Sequence, residues 1–76
     1  MTEKIQPEHT IRLGNIKATI WPNDGKNGTY YNVAIRRLYR DENGNPTDTT
    51  GFFLKDLPLV ATIAQLAVDY LVKKAN

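Results

Sequence analysis

The eleven residues YYNVAIRRLYR (residues 30–40) carry three arginines and three tyrosines, yet they alternate as a β-strand does. Tyr31, Val33 and Ile35 share one face, while Tyr30, Asn32, Ala34 and Arg36 share the other. Strict alternation carried past Arg36 turns Arg37 towards a core and Leu38 away from it. A bulge at Arg36-Arg37 is therefore expected, returning Leu38 to the core and Tyr39 to the open face. A half-buried strand needs one apolar side and accepts almost any polar group on the other. Filling that other side with guanidinium groups and aromatic rings calls for a reason beyond solubility.

Working outward, TIRLGNIKATIW (residues 10–21) sets Ile11 and Leu13 against Thr10 and Arg12. Gly14-Asn15 interrupts the phase as a bulge or bend does. Alternation resumes with Ile16, Ala18 and Ile20 inward, leaving Lys17, Thr19 and Trp21 on the opposite face. PNDGKNG (residues 22–28) is dense in turn formers and reads as a hairpin loop, and DENGNP (residues 41–46) as a second turn. TTGFFLKD (residues 49–56) is expected to give a short fourth strand that buries Phe52 with Leu54, or Phe53 alone. A helix follows, with Asp56 as N-cap and Pro58 in its first turn. The fold class is thus α+β: a curved four-stranded antiparallel sheet followed by a C-terminal helix, β-β-β-β-α. MTEKIQPEH (residues 1–9) shows no periodicity and is expected to be a flexible arm ahead of a single domain over residues 10–76.

A 76-residue chain makes one small domain that buries only about 60% of its unfolded surface. It has no cysteine, so neither disulfides nor thiolate-bound metal can staple it. Association with a second copy is the remaining staple. The helix points the same way, because twelve of the sixteen residues 57–72 are apolar. Thr62, Gln65 and Asp69 form its one wettable stripe, and that is more apolar surface than one sheet face requires. Val60, Ile63, Ala64, Ala67 and Leu71 are the residues expected at a homodimer interface. Lys73 and Lys74 suit the negative end of the helix dipole and need no other role.

The net charge of +2 conceals an asymmetry: residues 10–40 hold six basic side chains against Asp24, while residues 41–76 hold three lysines against five acids. That clustering favours an anionic partner. No stretch nears the about 18 consecutive apolar residues of a membrane span, so no membrane association is expected. No signal peptide is visible, and an intracellular location is expected.

Catalysis has little to stand on. The sole histidine, His9, lies in the arm with no partner for a triad or a metal site, and Asp24, Asp41 and Glu42 sit in turns where acids are commonplace. The glycines of residues 22–28 lack the spacing of a phosphate-binding loop and join two strands. No enzyme activity, metal or cofactor is expected. Cations that track phosphates beside rings that stack on unpaired bases suit a single strand better than a duplex, which hides its base faces. The rival readings are a protein-interaction module docking an acidic partner and an RNA-binding protein.

With IRLGNIKATIW, NVAIRRLYRDENG and TGFFLKDLPLV in place, residues 10–63 resemble the positive cofactor four family of single-stranded-DNA-binding transcriptional coactivators and its bacterial and phage relatives. The family's third strand carries an Ile-Arg pair, an aromatic residue three positions after that arginine, and a turn; here these are Ile35-Arg36, Tyr39 and Asn43-Gly44. Lys17 matches a basic residue of strand two, Lys26 the basic loop after it, and Gly51 the glycine that opens strand four. Asn15 and Thr49-Thr50 stand where the family has further cations. The resemblance implies a homodimer paired through its helices, binding single-stranded DNA largely without regard to sequence. Arg12, Lys17, Lys26 and Arg36 would meet phosphates, with Thr19 between them, and Trp21, Tyr30 and Tyr39 would stack on bases. The setting implied is DNA replication, recombination, repair or transcription, with proteins of those processes as further partners, in the cytoplasm or nucleoid of a bacterium or phage-infected cell.

Overall fold

A computed structural model describes residues 6–75. Strands β1 (His9–Leu13), β2 (Ile16–Gly25), β3 (Gly28–Arg40) and β4 (Pro46–Thr49) form one open antiparallel sheet in the order β1-β2-β3-β4. A 3-10 turn over Leu54–Asp56 leads into helix α1 (Leu57–Ala75), which lies across one face. The α+β, β-β-β-β-α reading is therefore the architecture of the chain.

Gly14-Asn15 is neither bulge nor bend but the two-residue turn joining β1 to β2, with Gly14 at φ +61°. The second hairpin is longer than a loop over residues 22–28 allows. Pairing continues through Pro22↔Tyr31 and Asp24↔Thr29 to Gly25↔Gly28, so only Lys26 and Asn27 turn. Proline survives inside β2 because of the bonding phase. Leu38 N–H donates to the Asn15 carbonyl at 2.7 Å, which makes the odd positions of β2 those that bond to β3. Pro22 faces the other way, beyond His9↔Ile20 where β1 stops pairing, and its missing N–H deprives no ladder.

The bulge expected at Arg36-Arg37 is absent. Register runs unbroken from Gly25↔Gly28 to Ile16↔Arg37, then onto β4 from Arg37↔Thr49 to Arg40↔Pro46. Arg37 and Tyr39 therefore stay on the helix side, and Leu38 on the open side. The structure accommodates an inward arginine by supplying partners. Arg37 Nε donates to the Gly51 carbonyl at 3.0 Å and lies 3.7 Å from Asp56 Oδ2, and its guanidinium sits over the Phe53 ring at 4.5 Å.

The fourth strand lies earlier than residues 49–56. Asp41 builds a compact turn, its Oδ1 accepting from the N–H groups of Asn43 and Asn45 at 2.9 Å each, with Gly44 at φ +79°. The chain is thereby returned to β3 at Pro46. Beyond Thr49, whose Oγ1 accepts from Gly51 N–H, pairing stops. Phe52 then folds against the core without Leu54, which is 83% exposed, and Phe53 is exposed too. Asp56 holds the position of the N-cap, but its Oδ2 accepts from Phe53 N–H at 3.0 Å.

The core forms between helix and sheet: Ile16, Ala18 and Ile20 from β2 and Ile63 and Ala67 from α1 are buried, ringed by Ile11, Leu13, Val33, Ile35, Phe52, Leu59 and Val60. Ile63 and Ala67, expected at a dimer interface, are thus turned into the chain's own core, with Val60 beside them. Ala64 and Leu71 are half-buried. The helix has two apolar stripes, and composition alone could not tell which meets the sheet. The outward one runs through Leu57, Ala61, Ala64, Val68 and Leu71 with Val72 alongside, a four-three alternation that keeps one side.

Residues 1–5 of the expected arm lie outside the described residues, and its last two residues, Glu8 and His9, are tied down. His9 opens β1 and stacks on Tyr70 with ring centroids 4.2 Å apart. Glu8 Oε2 accepts from the Tyr70 hydroxyl at 3.0 Å and meets Lys74 Nζ at 2.9 Å. The Lys74 and Tyr70 hydrogen bonds lower the Glu8 pKa, while the same carboxylate raises those of Lys74 and Tyr70.

Candidate functional site

The helix covers one face of the sheet, and the other is left open. Alternation places Thr10 and Arg12 of β1, Lys17, Thr19, Trp21 and Asn23 of β2, Tyr30, Asn32, Ala34, Arg36, Leu38 and Arg40 of β3, and Asp48 of β4 on that open face. Register then sorts them into rows across the strands.

Arg12 pairs with Lys17, and Lys17 pairs with Arg36, so three cations stand directly opposite one another across three strands. Like charges in direct cross-strand register are destabilising. Arg36 has an acidic partner, Asp48, with Nη1 and Oδ1 3.3 Å apart; Arg12 Nε makes a long bond to the Gly14 carbonyl at 3.4 Å. Among the described residues neither Arg12 nor Lys17 forms an ion pair. The next row, Thr10, Thr19 and Ala34, is small, and Thr19 is buried to 9% exposure between its neighbours. It makes a shallow floor.

Beyond that floor stand the rings. Trp21 is half-buried opposite Asn32, and Tyr30 opposite Asn23 is 58% exposed. The Tyr30 ring leans over Gly25, where a Cβ would come within 3.2 Å of it, so a bare backbone sets how low the ring lies. Lys17 and Trp21 are four residues apart on one strand, about 13 Å. Lys26, at the hairpin tip, is roughly 30 Å from Lys17 along the strand and joins the rings, not the cation row.

At the opposite end the cation row opens into a solvent-exposed cleft of ≈ 890 Å³ bordered by Arg12, Lys17, Leu38, Arg40 and Asp48. Leu38 and Arg40 belong here because β3 does not bulge. Unbroken alternation of Arg36, Leu38 and Arg40 was the signal that would have found them. Arg40 Nη1 donates to the Gly44 carbonyl at 2.7 Å, which holds it at the cleft's end. Tyr39 also borders the cleft, but its ring lies on the Arg37 side, 5.4 Å from that guanidinium, and not with Trp21 and Tyr30.

The face therefore gathers Arg12, Lys17, Thr19, Trp21, Tyr30 and Arg36, keeps Lys26 at one end and excludes the Tyr39 ring. It offers cationic hydrogen-bond donors, a small-residue floor and two π-faces. Among the described residues no three His, Cys, Asp or Glu side chains gather in a way that could hold a metal ion, and no helix is long and apolar enough to cross a membrane. Comparison of the chain with protein-family models, with curated proteins and with solved structures finds no match.

Proposed function

We propose that the chain is a non-enzymatic protein that binds single-stranded DNA, largely without regard to sequence, through the open face of its sheet. The observation that carries the reading is the cross-strand row Arg12–Lys17–Arg36, with Trp21 and Tyr30 further along the same face. Like charges held in register are a cost to the free protein that a row of phosphates removes. Aromatic rings beyond a small-residue floor give unpaired bases something to stack on, each worth about 1–3 kcal/mol. Arg12, Lys17 and Arg36 meet the backbone, Arg40 and Lys26 extend its path at either end, and Trp21 and Tyr30 take bases. A role in replication, recombination, repair or transcription follows from such binding without being singled out by it.

A homodimer is part of the same proposal, formed through the outward helix stripe. Leu57, Val68 and Val72 are each about half exposed there, with alanines at 61 and 64 that let a second helix come close. The stripe lies on the helix side of the sheet, so pairing leaves both open faces free, and two linked sites on one strand gain avidity.

Trp21 is the only tryptophan, so its fluorescence reports on this face alone. Titration with oligo-dT at two salt concentrations is expected to quench it, with affinity falling as salt rises and a matched duplex binding more weakly. Equal affinity for duplex and single strand, or binding that leaves Trp21 unquenched, would count against stacking on this face.

A further inference from the structure

Among the described residues Asp48 is the one acidic side chain bordering the cationic cleft. It sits on edge strand β4 opposite Leu38 and reaches Arg36 on the diagonal, where Nη1 and Oδ1 stand 3.3 Å apart. That is long for a charge-assisted hydrogen bond, which closes to about 2.7–2.9 Å. Both side chains are more than two-fifths exposed, so water screens the pair and either partner is free to leave. The contrast is with Asp56, which is buried and also holds a backbone N–H.

We infer that Asp48 is an internal stand-in for phosphate, occupying Arg36 in the free protein and exchanged for the nucleic-acid backbone on binding. The inference rests on the single-strand reading above and adds a residue that sets its strength. A lone anion gains little by entering, because it must displace Asp48 from Arg36 and then lie beside the carboxylate it displaced. A polyanion that also engages Arg12 and Lys17 can drive the exchange. Asp48 thus selects multivalent strands over isolated phosphates. The released carboxylate takes up a cation from solution and offsets the one that the phosphate gives up, so the Arg36 contact adds little to the salt dependence.

The experiment is a titration of labelled oligo-dT, read by anisotropy over a series of salt concentrations, with the unmodified chain, Asp48→Asn, Arg36→Gln and the double variant. Asparagine keeps the size of aspartate at an exposed position, so the fold is preserved. Asp48→Asn is expected to bind roughly two- to fivefold tighter, in line with the worth of an exposed pair. Its salt slope should steepen by at most about 0.7. Inorganic phosphate should compete for Asp48→Asn at lower concentration than for the unmodified chain. In the Arg36→Gln background the gain should vanish. An equal gain in both backgrounds would reduce Asp48 to a general negative charge and overturn the exchange, as would no gain at all. Failure of the unmodified chain to bind oligo-dT would instead overturn the single-strand reading, and this inference with it.

Discussion

Arg37 Nε lies 3.7 Å from Asp56 Oδ2 on the helix side of the sheet, in a pair whose carboxylate is almost wholly buried. This contact ties β3 to the start of α1 across sixteen intervening residues of turn, edge strand and loop. Asp56 also accepts from Phe53 N–H, so its loss would orphan that backbone donor and leave the half-buried Arg37 guanidinium with the Gly51 carbonyl but no counter-ion.

Asp56→Ala is accordingly expected to cost on the order of 1–3 kcal/mol. Asp48→Ala, which breaks an exposed pair, should cost less than about 1 kcal/mol. Urea unfolding of the two variants beside the unmodified chain separates them. Comparable losses would mean that the Arg37–Asp56 contact does not anchor the helix.

Cations and rings on the open face should fail in different ways. Lys17→Ala is expected to weaken oligo-dT binding and to flatten the salt slope by about 0.7, one phosphate contact for a single strand. Trp21→Ala should cost about 1–3 kcal/mol of binding while leaving the slope unchanged, because stacking releases no counterions. Anisotropy of a labelled oligonucleotide measures both. A slope that responds to Trp21→Ala, or not to Lys17→Ala, would reverse the roles given to these residues.

The sheet was legible in the sequence wherever a strand has one wet face. Alternation in β1 and β2 named Ile11, Leu13, Ile16, Ala18 and Ile20 as the inner set and Arg12, Lys17, Thr19 and Trp21 as the outer, and register agrees at every position. It misled where a charge points inward. Arg37 looked misplaced because its partner, Asp56, is nineteen positions away, and hydrophobic periodicity is blind to a distant counter-ion. A bulge at Arg36-Arg37, which periodicity favours there, puts Leu38 and Tyr39 on the wrong faces. The fourth strand reads too late in the sequence because Pro46 and Asp48 do not look like strand residues, although an edge strand tolerates both. On the helix, two apolar stripes side by side left nothing to say which one the sheet takes.

Acid and alkali should each loosen the clasp of Glu8 on Tyr70 and Lys74. Glu8 has its folded pKa below the ordinary 4.5, so its contribution is present above that value and fades as pH falls through the lowered one. Lys74 and Tyr70 have folded values raised above 10.5 and 10.0, so theirs is present below those values and is lost as pH climbs through the raised ones. The clasp is complete across the neutral range. The stability difference between the unmodified chain and Glu8→Gln, followed from about pH 3 to pH 8, is expected to be largest at neutral pH and to close towards the acid end. A difference independent of pH would show that Glu8 acts there through its size or its neutral hydrogen bond rather than its charge.

The helix offers the sharpest division between core and partner surface. Ile63 is fully buried against the sheet, whereas Val68, five positions on, is half exposed and lies with Leu57, Ala61 and Ala64 on the outward stripe. A glutamate at either position adds a charge to an apolar contact, but the consequences differ. Ile63→Glu places it in the chain's own core without a partner and should unfold the protein. Val68→Glu leaves it in water in the monomer and buries it only where two helices meet. The expected outcome is a folded Val68→Glu chain, with unchanged helical circular dichroism, that sediments as a monomer where the unmodified chain sediments as a dimer. With avidity lost, its affinity for a long oligonucleotide should drop far more than its affinity for one too short to reach both faces. If the unmodified chain already sediments as a monomer at micromolar concentration, or if Val68→Glu remains dimeric, then the outward stripe does not join two copies.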